Sequence, residues 1–162
     1  MKKQIKKWIS PKMLGNLQRT ALRWRHAGRM HRFQSDVFPN LHALKCEIGY
    51  NQYGAYCVPL SSKYRPAAQK VLSYDTYEPE TIAFMRAHAE DGDIVHAGTY
   101  FGDFLPGIAS ACKGTVWAFE PNPENHHCAQ VTILLNRLQN VRLHHAGLAS
   151  QNAQSFIQTE DE

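Results

Sequence analysis

Short apolar runs alternate with longer amphipathic segments through the second half of the chain. Three runs have the length and composition of buried strands: 94–97, 115–119 and 141–146. Two intervening segments carry apolar residues at helical spacing: 104–111 and 123–138. Strands and helices that alternate over short connections predict an α/β fold, in which right-handed crossovers build a parallel sheet.

The second of these helices has signals at both ends. Asn122 is expected to cap its start, and Asn140 to end it in a left-handed conformation. Its inner face is predicted to carry Cys128, Val131, Leu134, Leu135 and Leu138. His126 and His127, early in the helix, are expected to face solvent.

Upstream, the pattern changes twice. Residues 44–60 are rich in strand-forming residues around turn-forming Asn51 and Gly54, which predicts a β-hairpin. The polar stretch 61–73 is expected to be a loop leading to a short element. A helix is then predicted from Pro79, with Ile82, Met85 and Ala89 on one face and an end at Asp91-Gly92-Asp93.

The N-terminal arm, residues 1–35, has interrupted helical spacing and a strong positive charge. Residues 1–33 contain ten Lys and Arg and no acid, so the net charge of +4 leaves −6 on the remainder. Because the excess positive charge is confined to the arm, the net charge of the whole protein is no argument for nucleic-acid binding. The arm can contact an anionic membrane surface or an acidic partner, or pack on its own domain. We divide the chain into this arm, a hairpin and loop at 36–76, and a nucleotide-binding domain at 77–162.

Composition narrows the class of protein further. The 162 residues suffice for one domain with a core, and no run of about 18 apolar residues predicts a membrane span. Four cysteines lack CxxC pairs and zinc-ligand spacing: Cys46, Cys57, Cys112 and Cys128. We expect reduced, mostly buried thiols, no metal site and a cytoplasmic location.

The candidate chemistry lies at the carboxyl ends of the predicted strands, where parallel sheets bind ligands. Gly98 directly follows the first strand and Gly102 comes four residues later. Glycine permits positive φ and close approach of a ligand to the backbone, while the next helix offers free N–H groups. A tight turn without a ligand remains an alternative.

Glu120 ends the second strand, 22 residues after Gly98. A carboxylate there can accept both hydrogen bonds of a ribose diol, although it could instead complement the dipole of the next helix. The dinucleotide fingerprint needs three glycines, and Tyr100 stands at the middle position, where it would crowd a pyrophosphate. S-adenosylmethionine (SAM) has no pyrophosphate, so these residues favour SAM.

The motifs "YEPET", "GDIVHAGTYFGDF", "VWAFEPNPEN" and "LLNRLQNVRLHHAGLAS" resemble those of the FkbM family of SAM-dependent methyltransferases, over residues 77–150. The resemblance implies a Rossmann-like methyltransferase fold and methyl transfer to a hydroxyl of a sugar or small metabolite. It places Gly98, Thr99 and Gly102 along the methionine end of SAM, Glu120 at the ribose, and Pro121 and Asn122 beside the adenine. It also suggests that Glu78 closes over the site.

One departure from the family pattern concerns charge. His96 stands where members usually have an acid, which removes a charge that favours the SAM ammonium group; Asp103 is expected to compensate. The candidate cofactor-binding residues are His96, Ala97, Gly98, Thr99, Tyr100, Gly102, Asp103, Glu120, Pro121 and Asn122. No catalytic base is assigned among the candidates His96, Asp103, His144 and His145, and at most one of the two adjacent histidines is expected to face the site.

A second departure is that nothing after the third strand matches the family's K-x-D-x-E-G-like strand. The chain therefore resembles the cofactor-binding half of the family fold, and we expect an open sheet edge that a second copy or a partner chain can complete. Two other functions stay open at this point: a catalytically inactive cofactor-binding or partner domain, and a dinucleotide-binding oxidoreductase module.

Overall fold

The computed structural model describes residues 44–89, 91–151 and 154. It contains two sheets and four α-helices within those residues, and the predicted α/β class is confirmed. The predicted helical arm, residues 1–35, lies outside the described residues. No helix in the described ranges is long and apolar enough to cross a membrane.

The predicted hairpin is present. Strands β1 (Cys46–Tyr50) and β2 (Ala55–Pro59) pair antiparallel, with Ile48 opposite Cys57. The Asn51 N–H donates to the Gly54 carbonyl over 3.0 Å, which closes the turn. The Asn51 side chain is buried and accepts from the Tyr56 hydroxyl over 2.8 Å, so one residue shapes the turn and anchors a core tyrosine.

The segment after the hairpin is more helical than its polar composition indicates. A 3₁₀ turn (Leu60–Ser62) precedes helix α1 (Pro66–Leu72), whose buried face consists of Ala67, Ala68 and Val71. Helix α2 (Pro79–His88) then begins at Pro79 as predicted, and its Ile82 is fully buried.

Three parallel strands form the second sheet in the order β3–β4–β5. They are β3 (Ile94–Ala97), β4 (Val116–Phe119) and β5 (Val141–His144), joined by α3 (Leu105–Ala109) and α4 (Pro123–Asn136). Ile94 pairs with Val116, and Val116 with Val141, so the strands are in register and end at one edge.

The two faces of this sheet differ. One face packs against α2 and α3, and it buries Ile94, Val116, Ala118 and Val141. The opposite face carries Val95, which is 61% exposed. Within the described residues, the sheet is therefore covered on one side.

Helix α4 ties the hairpin to the sheet. The Thr132 hydroxyl is fully buried, accepts from the Cys57 N–H over 3.1 Å and donates to the Phe101 carbonyl over 2.8 Å. One turn later, Asn136 accepts from the Ala55 N–H and donates to the Ala55 carbonyl. The hairpin thus shares a core with the helix that follows β4.

Several predicted details of α4 are wrong. The helix ends at Asn136, and Arg137, not Asn140, adopts the left-handed cap with φ of 53°. Asn140 instead donates to the carbonyls of Ala109, Cys112 and Gly114, and so holds the loop before β4. His126 is buried rather than exposed, whereas Leu134 is 36% exposed.

Candidate functional site

The glycine turn after β3 is bonded directly to the end of β4. The N–H groups of Gly98 and Thr99 both donate to the Phe119 carbonyl, each over 2.9 Å. The turn after β5 is at the same edge, since a Cβ on Gly147 would lie 3.9 Å from Pro121. The turns that follow the three strands therefore meet, as the parallel topology predicts.

Backbone conformation explains both glycines. Gly98 and Gly102 have φ of 71° and 81°, values that residues with a Cβ rarely adopt. A Cβ on Gly98 would meet nothing within 4 Å, whereas one on Gly102 would lie 3.1 Å from Leu105 Cδ1. A side chain at Gly102 would therefore crowd Leu105 as well as strain the backbone, while the space over Gly98 is open to a ligand.

Glu120 holds two turns together. Its carboxylate is buried, with Oε2 accepting from the Tyr100 N–H over 2.7 Å and Oε1 accepting from the Asn122 N–H over 2.9 Å. Tyr100 has φ of 54°, a left-handed conformation in which its N–H points at the acid. Each carboxylate oxygen keeps a further lone pair for a ligand hydroxyl.

The alternative role of Glu120, complementing the next helix, is already filled by other groups. The Asn122 side chain accepts from the Asn125 N–H over 3.1 Å and caps α4 as predicted. Glu124 supplies an acid in the first turn of that helix. Glu120 instead bonds to the glycine turn, which places it in the candidate site.

His96 faces the same region from the end of β3. Its Nδ1 lies 2.9 Å from the buried Thr99 hydroxyl, and its ring stacks on Phe104 with centroids 5.3 Å apart. Burial lowers the pKa of His96, which favours the neutral imidazole near pH 7. A neutral ring can accept or donate one proton at the nitrogen that Thr99 does not use.

Asp103 is buried at the start of α3. Burial raises the pKa of its carboxyl to about 7, opposed by hydrogen bonds from the backbone of Asp103 and Phe104. The nearby Glu78 charge raises it further. Asp103 is therefore an acid that changes charge near neutral pH, beside a ring that stays neutral.

A cavity of about 300 Å³ collects several of these groups. Four predicted residues line it: His96, Gly98, Tyr100 and Asp103. Its other walls come from outside the predicted site, mainly from Arg65 and Pro66 at the start of α1, and from Tyr77. Tyr77 belongs to the "YEPET" motif, whereas no sequence signal pointed to Arg65.

The remaining predicted residues do not line this cavity; they are Ala97, Thr99, Gly102, Glu120, Pro121 and Asn122. Ala97 is exposed at the end of β3, opposite Phe119. The Pro121 carbonyl lies 3.1 Å from His145 Nε2, and that ring stacks on His126. His144 instead stacks on Trp117 and Phe119, so neither adjacent histidine lines the cavity.

Among the described residues, no group of three or more His, Cys, Asp or Glu side chains could hold a metal ion. Cys57, Cys112 and Cys128 are buried, as expected, and Cys46 is partly buried. Cys128 and Cys46 both lie close to Cys57, and hydrogen bonding with them is the main cause of the raised pKa of Cys57. Cys46, Cys57 and Cys128 are in the core that the hairpin shares with α4, and none of them lines the cavity.

Comparison with known proteins gives similarity at the level of fold. No protein-family model matches the chain, and no curated protein matches it. Among solved structures, it is similar to M. jannaschii TYW2 in complex with AdoMet, at 22% identity over 61% of this chain and 42% of that chain, with a TM-score of 0.49. It is also similar to P. horikoshii TYW2 in complex with MeSAdo, at 17% identity over 64% of this chain and 37% of that chain, with a TM-score of 0.48.

A SAM-dependent methyltransferase from Aquifex aeolicus is also similar, at 22% identity over 54% of this chain and 43% of that chain, with a TM-score of 0.37. The chain spans less than half the length of each of these three proteins. The similarity concerns the arrangement of strands and helices over part of the chain.

Proposed function

We propose that the chain binds SAM at the edge formed by the Gly98 turn and Glu120, and that it is a methyltransferase of the FkbM type. The observation that carries the proposal is the direct bond between the Tyr100 N–H and Glu120, beside open space over Gly98. The motifs of residues 77–150 support the family assignment. The proposed acceptor is a hydroxyl group of a sugar or small metabolite.

The residues present fit an adenosyl group. The open space over Gly98 admits a ligand against the backbone, and Glu120 has lone pairs to accept from two ribose hydroxyls. Pro121 and Asn122 follow Glu120 at the strand edge, where the family resemblance puts the adenine. When bound, SAM supplies an electrophilic methyl group on a sulfonium ion.

A hydroxyl acceptor must lose its proton during methyl transfer, and two residues of the cavity can take it. If His96 Nδ1 donates to the Thr99 hydroxyl, then Nε2 is left as an acceptor. Asp103 can take a proton when ionised, and its pKa of about 7 suits general-base work near neutral pH. We favour His96 as the base and Asp103 as a partner of the SAM ammonium group.

Isothermal titration of the full chain tests the cofactor. We expect SAM and S-adenosylhomocysteine to bind and NAD not to bind, because Tyr100 occupies the position of the second fingerprint glycine. Binding of NAD alone would support a dinucleotide-binding module and overturn the proposal.

Transfer of a labelled methyl group tests the acceptor. Hydroxylated sugars and small metabolites are compared with tRNA, because a further similar structure is the tRNA (m1A58) methyltransferase TrmI from Aquifex aeolicus. Label in a sugar or metabolite is the expected result. Label in tRNA would contradict the acceptor class, and SAM binding without transfer to any acceptor would favour an inactive binding domain.

A further inference from the structure

Arg65 is the only Lys or Arg among the described residues that line the cavity. It contributes from the N-terminal side of α1, upstream of the glycine turn and outside every motif of the predicted site. Its side chain has no ion-pair partner among the described residues, whose ion pairs are Lys70–Asp75 and Lys113–Asp91. A guanidinium without a carboxylate partner at a cavity wall is available to a ligand anion.

The position of Arg65 is fixed by the same residue that joins the glycine turn to Glu120. The Tyr100 hydroxyl donates to the Ser62 carbonyl over 3.3 Å, and the Arg65 N–H donates to that carbonyl over 3.0 Å. Burial raises the pKa of Tyr100, and the positive charge of Arg65 opposes that rise. The guanidinium is therefore near enough to this cavity-lining tyrosine to affect its ionisation.

Opposite charges therefore face the cavity from two elements. Arg65 brings a positive charge from the start of α1, and Asp103 brings a carboxyl from the start of α3, with Glu78 close to it. The amino-acid portion of SAM carries an ammonium and a carboxylate on one carbon. A planar guanidinium binds a carboxylate through two parallel N–H bonds, which gives both strength and direction.

We propose that Arg65 binds the α-carboxylate of SAM and Asp103 its ammonium group. This inference rests on the proposed function, since it assigns residues to one end of the proposed cofactor. Arg65 is then a binding residue supplied by a segment upstream of the nucleotide-binding motifs. Without it, the adenosyl group would still have its own proposed contacts at Glu120, Pro121 and Asn122.

Two ligands that differ in the amino-acid portion test the assignment. S-adenosylhomocysteine has that portion, and 5′-methylthioadenosine lacks it. In isothermal titration of the full chain, we expect Arg65→Ala to weaken S-adenosylhomocysteine binding by about 10- to 100-fold, the usual range for a charge-assisted pair. Methylthioadenosine affinity should stay within about twofold, which also reports an intact pocket. Lys63→Ala, an equal charge change two residues away, should alter neither affinity.

The outcomes separate the two proposals. If the unmodified chain binds neither ligand, the proposed function fails, and this inference fails with it. If the unmodified chain binds both and Arg65→Ala changes them equally, or changes neither, the role of Arg65 is overturned while adenosyl binding stands. Arg65→Lys should recover only part of the lost affinity, because an ammonium cannot make the paired contact.

Discussion

Tyr100 and Glu120 are 20 positions apart in the chain, yet the backbone N–H of one donates to the carboxylate of the other over 2.7 Å. The bond joins the turn after β3 to the turn after β4. It depends on the left-handed conformation of Tyr100 and on the parallel register that ends both strands at one edge. The geometry of the proposed cofactor site therefore depends on this buried acid together with the bonds from the Gly98 and Thr99 N–H groups to the Phe119 carbonyl.

Glu120→Gln is expected to weaken both the fold and SAM binding. The amide nitrogen of glutamine would face either the Tyr100 or the Asn122 N–H, and two donors cannot pair. We expect a loss of roughly 1–3 kcal/mol of unfolding free energy and at least a tenfold loss of SAM affinity. Urea unfolding and isothermal titration measure the two effects. Glu80→Gln, on the exposed start of α2, is the matched control and should change neither quantity. Unaltered SAM binding by Glu120→Gln would refute the proposed role of Glu120 in the site.

The two glycines are expected to respond differently to alanine. Gly98→Ala brings a Cβ into open space, so the variant loses only about 1–2 kcal/mol of unfolding free energy, through the strain of the positive φ. Its SAM affinity should fall, because the ligand meets the added methyl group. Gly102→Ala adds contacts with Leu105 and Thr132 to the same strain, and should destabilise more. Thermal unfolding should rank the two variants in this order. A Gly98→Ala protein that binds SAM normally would exclude close approach of the ligand to that backbone.

Thr132→Val tests the link between the hairpin and the sheet. Valine keeps the shape but leaves the Cys57 N–H and the Phe101 carbonyl buried without partners. Each unsatisfied group costs about 1–3 kcal/mol, so we expect a loss of roughly 2–6 kcal/mol in urea unfolding. Thr132→Ser keeps the hydroxyl and should lose clearly less. A larger loss in Thr132→Ser than in Thr132→Val would show that the methyl group contributes more than the hydroxyl.

The buried carboxyl of Asp103 makes stability depend on pH. Its pKa in the folded protein, about 7, exceeds the ordinary value of 3.8, so the folded state holds the proton more tightly. The stability that this group contributes is fully present below about pH 4 and is lost as the pH rises to about 7. Asp103→Asn should therefore raise the melting temperature at pH 8 by more than at pH 4. A shift of the same size at both values would contradict the raised pKa.

The sheet could be predicted because each strand is indicated by a short stretch of its own sequence. Short apolar runs followed by Gly98 and Glu120 predict the first two strands, and the short connections predict their parallel order. Helix α1 was missed because its buried face uses Ala67, Ala68 and Val71, which resemble a polar loop when flanked by Ser62 and Pro66. A helix face made of small residues shows little hydrophobic periodicity in the sequence, although it is buried against the hairpin in the fold.

The motifs predicted where residues lie at the strand ends, whereas their role in cofactor binding stays a prediction. Gly98, Glu120 and Asn122 occupy the positions expected from their places at strand ends. Arg65 could not be predicted, because its place at the cavity depends on the Tyr100–Ser62 contact between residues 38 positions apart. The Arg137 cap was missed because a helix can end on any residue that tertiary packing holds at positive φ.

The most direct test of a single adenosyl site between the two turns follows the backbone amides by ¹H–¹⁵N NMR while S-adenosylhomocysteine is added to the full chain. We expect saturable shifts concentrated at the amides of Gly98, Tyr100, Glu120 and Asn122, with smaller shifts in the hairpin. Shifts confined to other parts of the chain, or no saturable shift at all, would contradict that site.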